Sequence, residues 1–195
     1  MNENLALEKE ILEQKRKDIL KEVEQKKKYQ EEIEQKLRVV TKEAKGSYSQ
    51  EKENTEKIYN LLKKEIENYE EAIKNPYFGR VDFDEKFGNQ EKIYIGKKGI
   101  TSTYDGEEIV VDWRAPIADL YYSGTGGEAY YRAPMGVIEG DLNLKRKFLY
   151  KYENIDRIFD EATNEIIINS EEGSGLVDEF LKINLEESRG KKLRN

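Results

Sequence analysis

The stretch Ile73-Lys74-Asn75-Pro76-Tyr77-Phe78-Gly79 divides the chain into two kinds of sequence. Up to Asn75 there is one of the 14 glycines and none of the three prolines; beyond it lie the other 13 glycines, all three prolines and nine of the 13 tyrosines. A proline disfavours helical geometry in the residue before it, so a helix arriving from the N-terminal side must stop by Asn75. Working outward from this break, the sequence predicts an α+β molecule. Residues 1–75 read as an antiparallel helical hairpin (a coiled-coil arm), 76–170 as a small antiparallel β domain, and 171–195 as a C-terminal helix with a basic linker.

The arm is read from its spacing. Leu5, Leu12, Ile19, Lys26, Ile33 and Val40 recur every seven residues, and Val23, Leu37 and Ala44 follow at four-residue offsets. That is the seam of a packed helix rich in Glu, Lys and Gln. Lys26 and Gln30 interrupt it, so a local kink or weak packing is expected there. Gly46 fits a helix C-terminus, with Lys42 and Lys45 suited to the negative end of the dipole. Ser47 and Gln50 read as a capping box opening a second helix, whose stripe is Ile58, Leu62, Ile66, Tyr69 and Ile73. Lengths of about 42 and 27 residues correspond to ~63 and ~40 Å. The first ~15 residues at this rise therefore overhang the hairpin, and Leu5, Ile11 and Leu12 need cover from the sheet or the C-terminal helix.

Past the break, residues 92–96 and 108–113 carry strand signals. Ile138 to Tyr152 alternates with period two, which predicts one long half-buried strand, bent at Gly140 by a bulge. Glu153-Asn154 reads as the turn into a strand over 155–159. Residues 120–122 and 128–131 read as strands on either side of Thr125-Gly126-Gly127, and 176–188 has helical spacing. Neither Gly124-Thr125-Gly126-Gly127 nor Gly173-Ser174-Gly175 leads into Gly-Lys-Ser/Thr, so both are turn glycines rather than phosphate loops.

Composition excludes several chemistries. Without cysteine there is no thiol nucleophile and no disulfide framework; without histidine there is no His-based triad or H-E-x-x-H zinc site. Net charge is −7. The arm carries 17 basic against 18 acidic residues and the remainder 17 against 23, a balance unlike that of a nucleic-acid coat. No apolar run approaches ~20 residues, and Met-Asn-Glu-Asn opens no signal peptide. A cytoplasmic protein without a membrane partner is expected.

Two sets of residues stand out as contact candidates. Lys42, Glu43, Lys45, Ser47, Tyr48, Gln50 and Glu51 surround the arm tip, where Tyr48 between two serines suits a partner surface. A plain connecting turn is the competing reading. Glu43 and Glu51 are interleaved with lysines, which speaks against a metal-holding tip. Lys145, Lys147, Lys191 and Lys192 are candidate nucleic-acid contacts.

Three segments carry a resemblance. They are Asn75-Pro76-Tyr77-Phe78-Gly79-Arg80-Val81-Asp82-Phe83, Ile93-Tyr94-Ile95-Gly96-Lys97, and Val110-Val111-Asp112-Trp113-Arg114-Ala115-Pro116-Ile117-Ala118-Asp119-Leu120-Tyr121-Tyr122. With Gly136-Val137-Ile138-Glu139-Gly140 and Leu144-Lys145-Arg146-Lys147-Phe148 in the same order, the chain resembles the N-terminal part of the HelD-type DNA helicases. These are relatives of the UvrD/Rep superfamily 1 motors and recycle stalled RNA polymerase. The resemblance implies an arm that enters the polymerase secondary channel. It also implies a motor beyond Asn195 that uses ATP and Mg. No catalytic, cofactor-binding or metal residue carries over to this chain.

The residues themselves admit a structural reading beside it. In that reading Trp113, Tyr121 and Tyr122 pack the sheet core, and Asp112 pairs with Arg114 internally. Two other functions stay open: an accessory DNA-binding domain of a conventional ATP-dependent helicase, and a self-associating coiled coil. The hairpin buries its own seam, so a monomer is expected.

Overall fold

The computed structural model describes residues 3–44, 49–124, 126–161 and 165–168. Helix α1 spans Glu3–Glu43 without a break and helix α2 spans Gln50–Lys74. At 41 and 25 residues they are ~61 and ~37 Å long. They run antiparallel: Lys36 pairs with Glu51, Lys27 with Glu70, and Arg16 reaches the carbonyl of Ile73. Leu5, Leu12, Ile19, Val23, Ile33 and Val40 are buried, as the seam predicts.

Two details of the hairpin differ from the sequence reading. The N-cap of α2 is Ser49, in extended geometry, whose Oγ accepts from the Lys52 backbone N–H at 3.3 Å. Gln50 is then the first helical residue and its side chain turns to Asn54 instead of closing a capping box. The buried stripe of α2 is also narrower. Thr55, Leu62, Ile66 and Tyr69 are buried, whereas Ile58 is exposed beside Leu61.

After Pro76 come strands β1 (Gly79–Glu85), β2 (Gln90–Gly96), β3 (Ile100–Thr101), β4 (Glu108–Asp112), β5 (Gly127–Ala133), β6 (Gly136–Lys151), β7 (Asn154–Asp160) and β8 (Glu165–Ile168). The sheet order is β3-β4-β2-β1-β6-β7-β8, with β5 also on β6. All pairings are antiparallel except β2 with β4. The 16-residue β6 organises the sheet. One edge pairs with β1, and the other pairs first with β5 and then with β7.

The bulge lies at Asn143, not at Gly140. Asp82 pairs with Leu144 and Phe83 with Leu142, leaving Asn143 without a partner on β1. The extra residue reverses which face each later side chain occupies. Leu142 therefore joins one core while Arg146 and Phe148 turn to the other side. Gly140 has a separate task, since a Cβ there would stand 2.2 Å from the Asp84 carbonyl oxygen. The β6–β7 turn consists of Tyr152 and Glu153, both with positive φ (49° and 68°), a two-residue hairpin loop one position earlier than expected.

Residues 120–122 are helical rather than a strand. A 3-10 turn at Pro116–Ala118 leads directly into helix α3, Asp119–Ser123. Proline suits the first turn of a helix, and Ile117, Leu120 and Tyr121 then share one face. Gly79 lies under Tyr121, where a Cβ would stand 2.5 Å from Cε2 of the ring.

Alternation along the strands builds two cores. On one face, Tyr77, Tyr94, Val110, Phe148 and Ile158 pack against Leu5, Leu12, Ile19 and Val23 of α1. On the other, Val81, Phe83, Ile95 and Leu142 pack against Leu120 and Tyr121 of α3. The sheet thus supplies the cover that the overhanging start of α1 requires. Tyr77 centres the first core, its ring edge-on to Tyr94 and Phe148 at 4.7 and 5.1 Å. The helix expected over 176–188 lies outside the described residues.

Candidate functional site

The feature that can do work outside the fold is the helical arm, and the root of α1 sets its direction. Glu8, Lys15 and Glu22 recur every seven residues along that root, each three residues after Leu5, Leu12 and Ile19 in turn. This places a charged ridge on the same face as the apolar seam, and each member finds a partner in the sheet or in the turn from β3 to β4.

Glu8 is fully buried. Its Oε1 accepts from Arg80 Nη1 and Arg146 Nη1, each at 2.7 Å, and its Oε2 accepts from the Tyr94 hydroxyl at 3.1 Å. Both guanidiniums are backed by a second carboxylate: Asp82 on Arg80 at 2.6–2.7 Å and Asp160 on Arg146 at 2.6 Å. Burial opposes the charge on each arginine, but hydrogen bonds to Asp82, or to Asp160 and Glu8, outweigh it and hold both pKa values above the ordinary range. Lys15 adds a third cation, 4.5 Å from the centre of the Tyr94 ring, its ammonium donating to the Ile109 carbonyl at 2.5 Å. Burial lowers its pKa, offset in part by Asp18 and Glu8. Three carboxylates, two guanidiniums and the Tyr94 hydroxyl thus close a hydrogen-bonded network between α1, β1, β2, β6 and β7, with the Lys15 ammonium beside it as a third cation.

A buried network of this kind is weak evidence for net stability but strong evidence for register. Sliding α1 by one turn, ~5.4 Å, would carry Glu8 away from both arginines. Arg16 makes a second clasp. Its Nε and Nη2 donate to the last carbonyls of α2, Ile73 at 2.9 Å and Lys74 at 2.6 Å, and Nη2 also reaches the Glu153 carbonyl in the β6–β7 turn. One side chain therefore holds helix α1, the end of α2 and the sheet together. Farther along, Glu22 Oε1 accepts from the Thr103 N–H at 3.1 Å and Gln25 meets the Thr103 hydroxyl.

From Gln25 outward, residues 26–43 of α1 add ~27 Å of helix paired with α2. Lys26, at the interrupted seam position, is satisfied rather than disruptive. Its ammonium lies 5.1 Å from the Tyr69 ring centre and 3.1 Å from Glu65. At the free end Lys42 and Glu43 are exposed in the last turn of α1, and Gln50 and Glu51 open α2, with Glu51 3.3 Å from Lys36. Lys45, Ser47 and Tyr48 lie outside the described residues, as do Lys191 and Lys192.

The other sequence candidates are placed in the sheet. Lys145 is buried, its ammonium 2.7 Å from Glu161, 3.2 Å from the Gly124 carbonyl and over the Tyr121 ring. Lys147 is buried as well. Asp112 and Arg114 do pair, at 2.8 Å through two hydrogen bonds, but at the surface; the guanidinium draws the Asp112 pKa down to about 2. Trp113 is 36% exposed at that turn, so only Tyr121 of the three aromatic candidates is fully in the core, with Tyr122 partly buried.

Sequence reasoning missed Glu8, Arg16, Arg80 and Arg146. A signal was present in the seven-residue spacing of charges and in arginines interleaved with Val81, Phe83 and Phe148. Among the described residues, no cluster of three or more His, Cys, Asp or Glu side chains could hold a metal ion, and no helix is long and apolar enough to cross a membrane.

Comparison with known proteins gives one family. Residues 5–174 match the family model described as the N-terminal domain of DNA helicase IV HelD. No curated protein matches the chain.

Proposed function

The chain belongs to the HelD N-terminal domain family, and on that premise we propose that its helical hairpin is the RNA-polymerase-engaging arm of an ATP-dependent, helicase-like factor that releases or recycles the polymerase. The observation that carries this reading is a hairpin extending ~27 Å beyond its Gln25 contact while its root is keyed to the sheet through Glu8 and Arg16. Reach with a fixed direction suits insertion into a channel, here the polymerase secondary channel. In this proposal the tip residues around Tyr48 make the contact, and ATP and Mg serve the motor of a longer protein. The factor works as a monomer in the cytoplasm and meets DNA through its other parts.

The test is binding of the 195-residue chain to purified RNA polymerase. Tyr48→Ala combined with Lys42→Ala and Lys45→Ala should weaken binding by about tenfold or more, the scale of a lost interface anchor. Binding indifferent to all three changes overturns the tip assignment, and absence of binding overturns the polymerase reading. Tight, steeply salt-dependent binding to duplex DNA would favour the accessory-domain reading instead. The buried positions of Lys145 and Lys147 speak against that outcome.

A further inference from the structure

Strand β5 is paired on one side only. Its ladder partner is β6, and among the described residues no backbone group of β5 bonds to any other element. The hairpin closes through a two-residue loop, Pro134-Met135, between Ala133 and Gly136. In such a loop the closing pair exchanges both of its backbone bonds, and bonded and non-bonded pairs then alternate along the ladder. Gly127, Ala129, Tyr131 and Ala133 therefore spend their N–H and C=O groups on β6. Those of Glu128, Tyr130 and Arg132 point outward, a row of donors and acceptors that the fold leaves open.

The side chains of the same three residues are exposed, while Ala129, Tyr131 and Ala133 pack towards α3 on the opposite face. Glu128 stands directly across the ladder from Asp141, and among the described residues neither carboxylate has an ion pair. Like charges placed opposite each other on a sheet are unfavourable, so this end of the hairpin lacks a cation. Arg132 is unpaired as well.

Charge on an edge strand ordinarily discourages pairing, but these charges suit a copy of the same strand. Glu128 and Arg132 lie two residues to either side of Tyr130. Antiparallel pairing about a two-fold axis at Tyr130 sets Glu128 against Arg132 of the second copy, twice over, and Tyr130 against its own counterpart. All three pairs fall on residues whose backbone groups face outward, so one register supplies about six backbone hydrogen bonds as well. Sliding one copy by two residues removes both charge pairs.

We propose that β5 pairs in this register with β5 of a second copy of the chain, joining two sheets into one. Helix α1 leaves room for it. Glu8 lies over β1 and β6, Lys15 reaches β4 and Glu22 the turn after β3, so the arm departs from the edge opposite β5. Two short edges make a contact below the size of a standard stable interface, which gives a weak pair with a Kd of roughly 0.1 mM. Such a pair coexists with a monomer acting on the polymerase. The inference rests on β5 alone and stands whether or not the arm binds there.

The test is sedimentation equilibrium of the 195-residue chain from about 10 µM to about 1 mM, a range that brackets such a constant, with amide hydrogen exchange at both ends of the range. Rising concentration should move the mass towards a dimer and slow exchange several-fold at Glu128, Tyr130 and Arg132, while Ala129 and Tyr131, already bonded to β6, change little. Arg132→Glu and Glu128→Arg, both at exposed positions, each set like charges opposite one another and should weaken self-association about tenfold or more. Mixed in equal amounts, the two variants regain opposite charges at both pairs and should associate with each other as the parent does with itself. A chain that stays monomeric across the range overturns the proposal, as does self-association that either variant leaves unchanged. Failure of the mixed variants to associate, or slowed exchange at amides other than these three, overturns it equally.

Discussion

The two halves of α1 continue one seven-residue pattern yet are held in different ways. From Glu3 to Gln25 the helix lies on the sheet, with Leu5, Leu12, Ile19 and Val23 buried beneath it and Glu8, Lys15 and Glu22 each bonded to a named partner. From Lys26 to Glu43 it meets only the narrower stripe of α2, with Ile33, Val40 and Leu62 at the margin of burial and ion pairs such as Lys27–Glu70 about half exposed. Surface pairs of that kind contribute ~0–1 kcal/mol each. A single helix is thus fixed in direction at one end and lightly held at the other. Reach comes from length, whereas aim comes from the root.

The sharpest way to break this comparison is Glu8→Ala. It strands two buried guanidiniums, and loss of one partner from such a network costs ~3–5 kcal/mol. Urea denaturation should show that loss as a lower midpoint; a change within 1 kcal/mol, the scale of an exposed pair, would mean that the root is no better anchored than the arm. A paired comparison comes next. Leu12→Ala, at a fully buried root position, should cost ~2–5 kcal/mol. Val40→Ala near the free end removes two methyl groups' worth of burial, about 1–2 kcal/mol at most. Equal costs would erase the distinction between the halves.

Smaller effects sharpen it. Ser49→Ala removes the cap of α2 at a cost of ~1 kcal/mol, and hydrogen exchange should quicken in the first turn of α2 while the Glu8 region stays protected. Asp112→Asn probes an exposed pair as the counterpart of Glu8. The folded pKa of Asp112, about 2, lies below its ordinary 3.8. Its stabilising effect is therefore present above that ordinary value and fades as pH falls towards 2. The stability difference between the two proteins should shrink as pH falls from 5 to 2, whereas a constant difference would assign Asp112 a role other than its charge.

The α+β class, the helical pair and the long strand were legible because each rests on local periodicity. The errors are instructive about range. Ser47 and Ser49 are both plausible caps by residue type, and the sequence around them does not choose between them. The Tyr121-Tyr122 pair suggests a strand by composition, while Pro116 and the Ile117–Leu120–Tyr121 spacing carried the opposite signal. The bulge at Asn143 arises from pairing with β1, so nothing within β6 marks it. The anchor was the least legible part. Glu8 meets Arg80 and Arg146 across 72 and 138 residues, and no local pattern pairs groups at that separation.

That last separation has a consequence for biosynthesis. At ~5–20 residues per second, 138 residues take roughly 7 to 28 s to polymerise, so the first helix emerges long before its docking groove exists. During that interval its greasy stripe waits uncovered, and the nascent chain cannot complete its tertiary structure segment by segment from the amino end. The last strands to be made close the assembly that the first helix began.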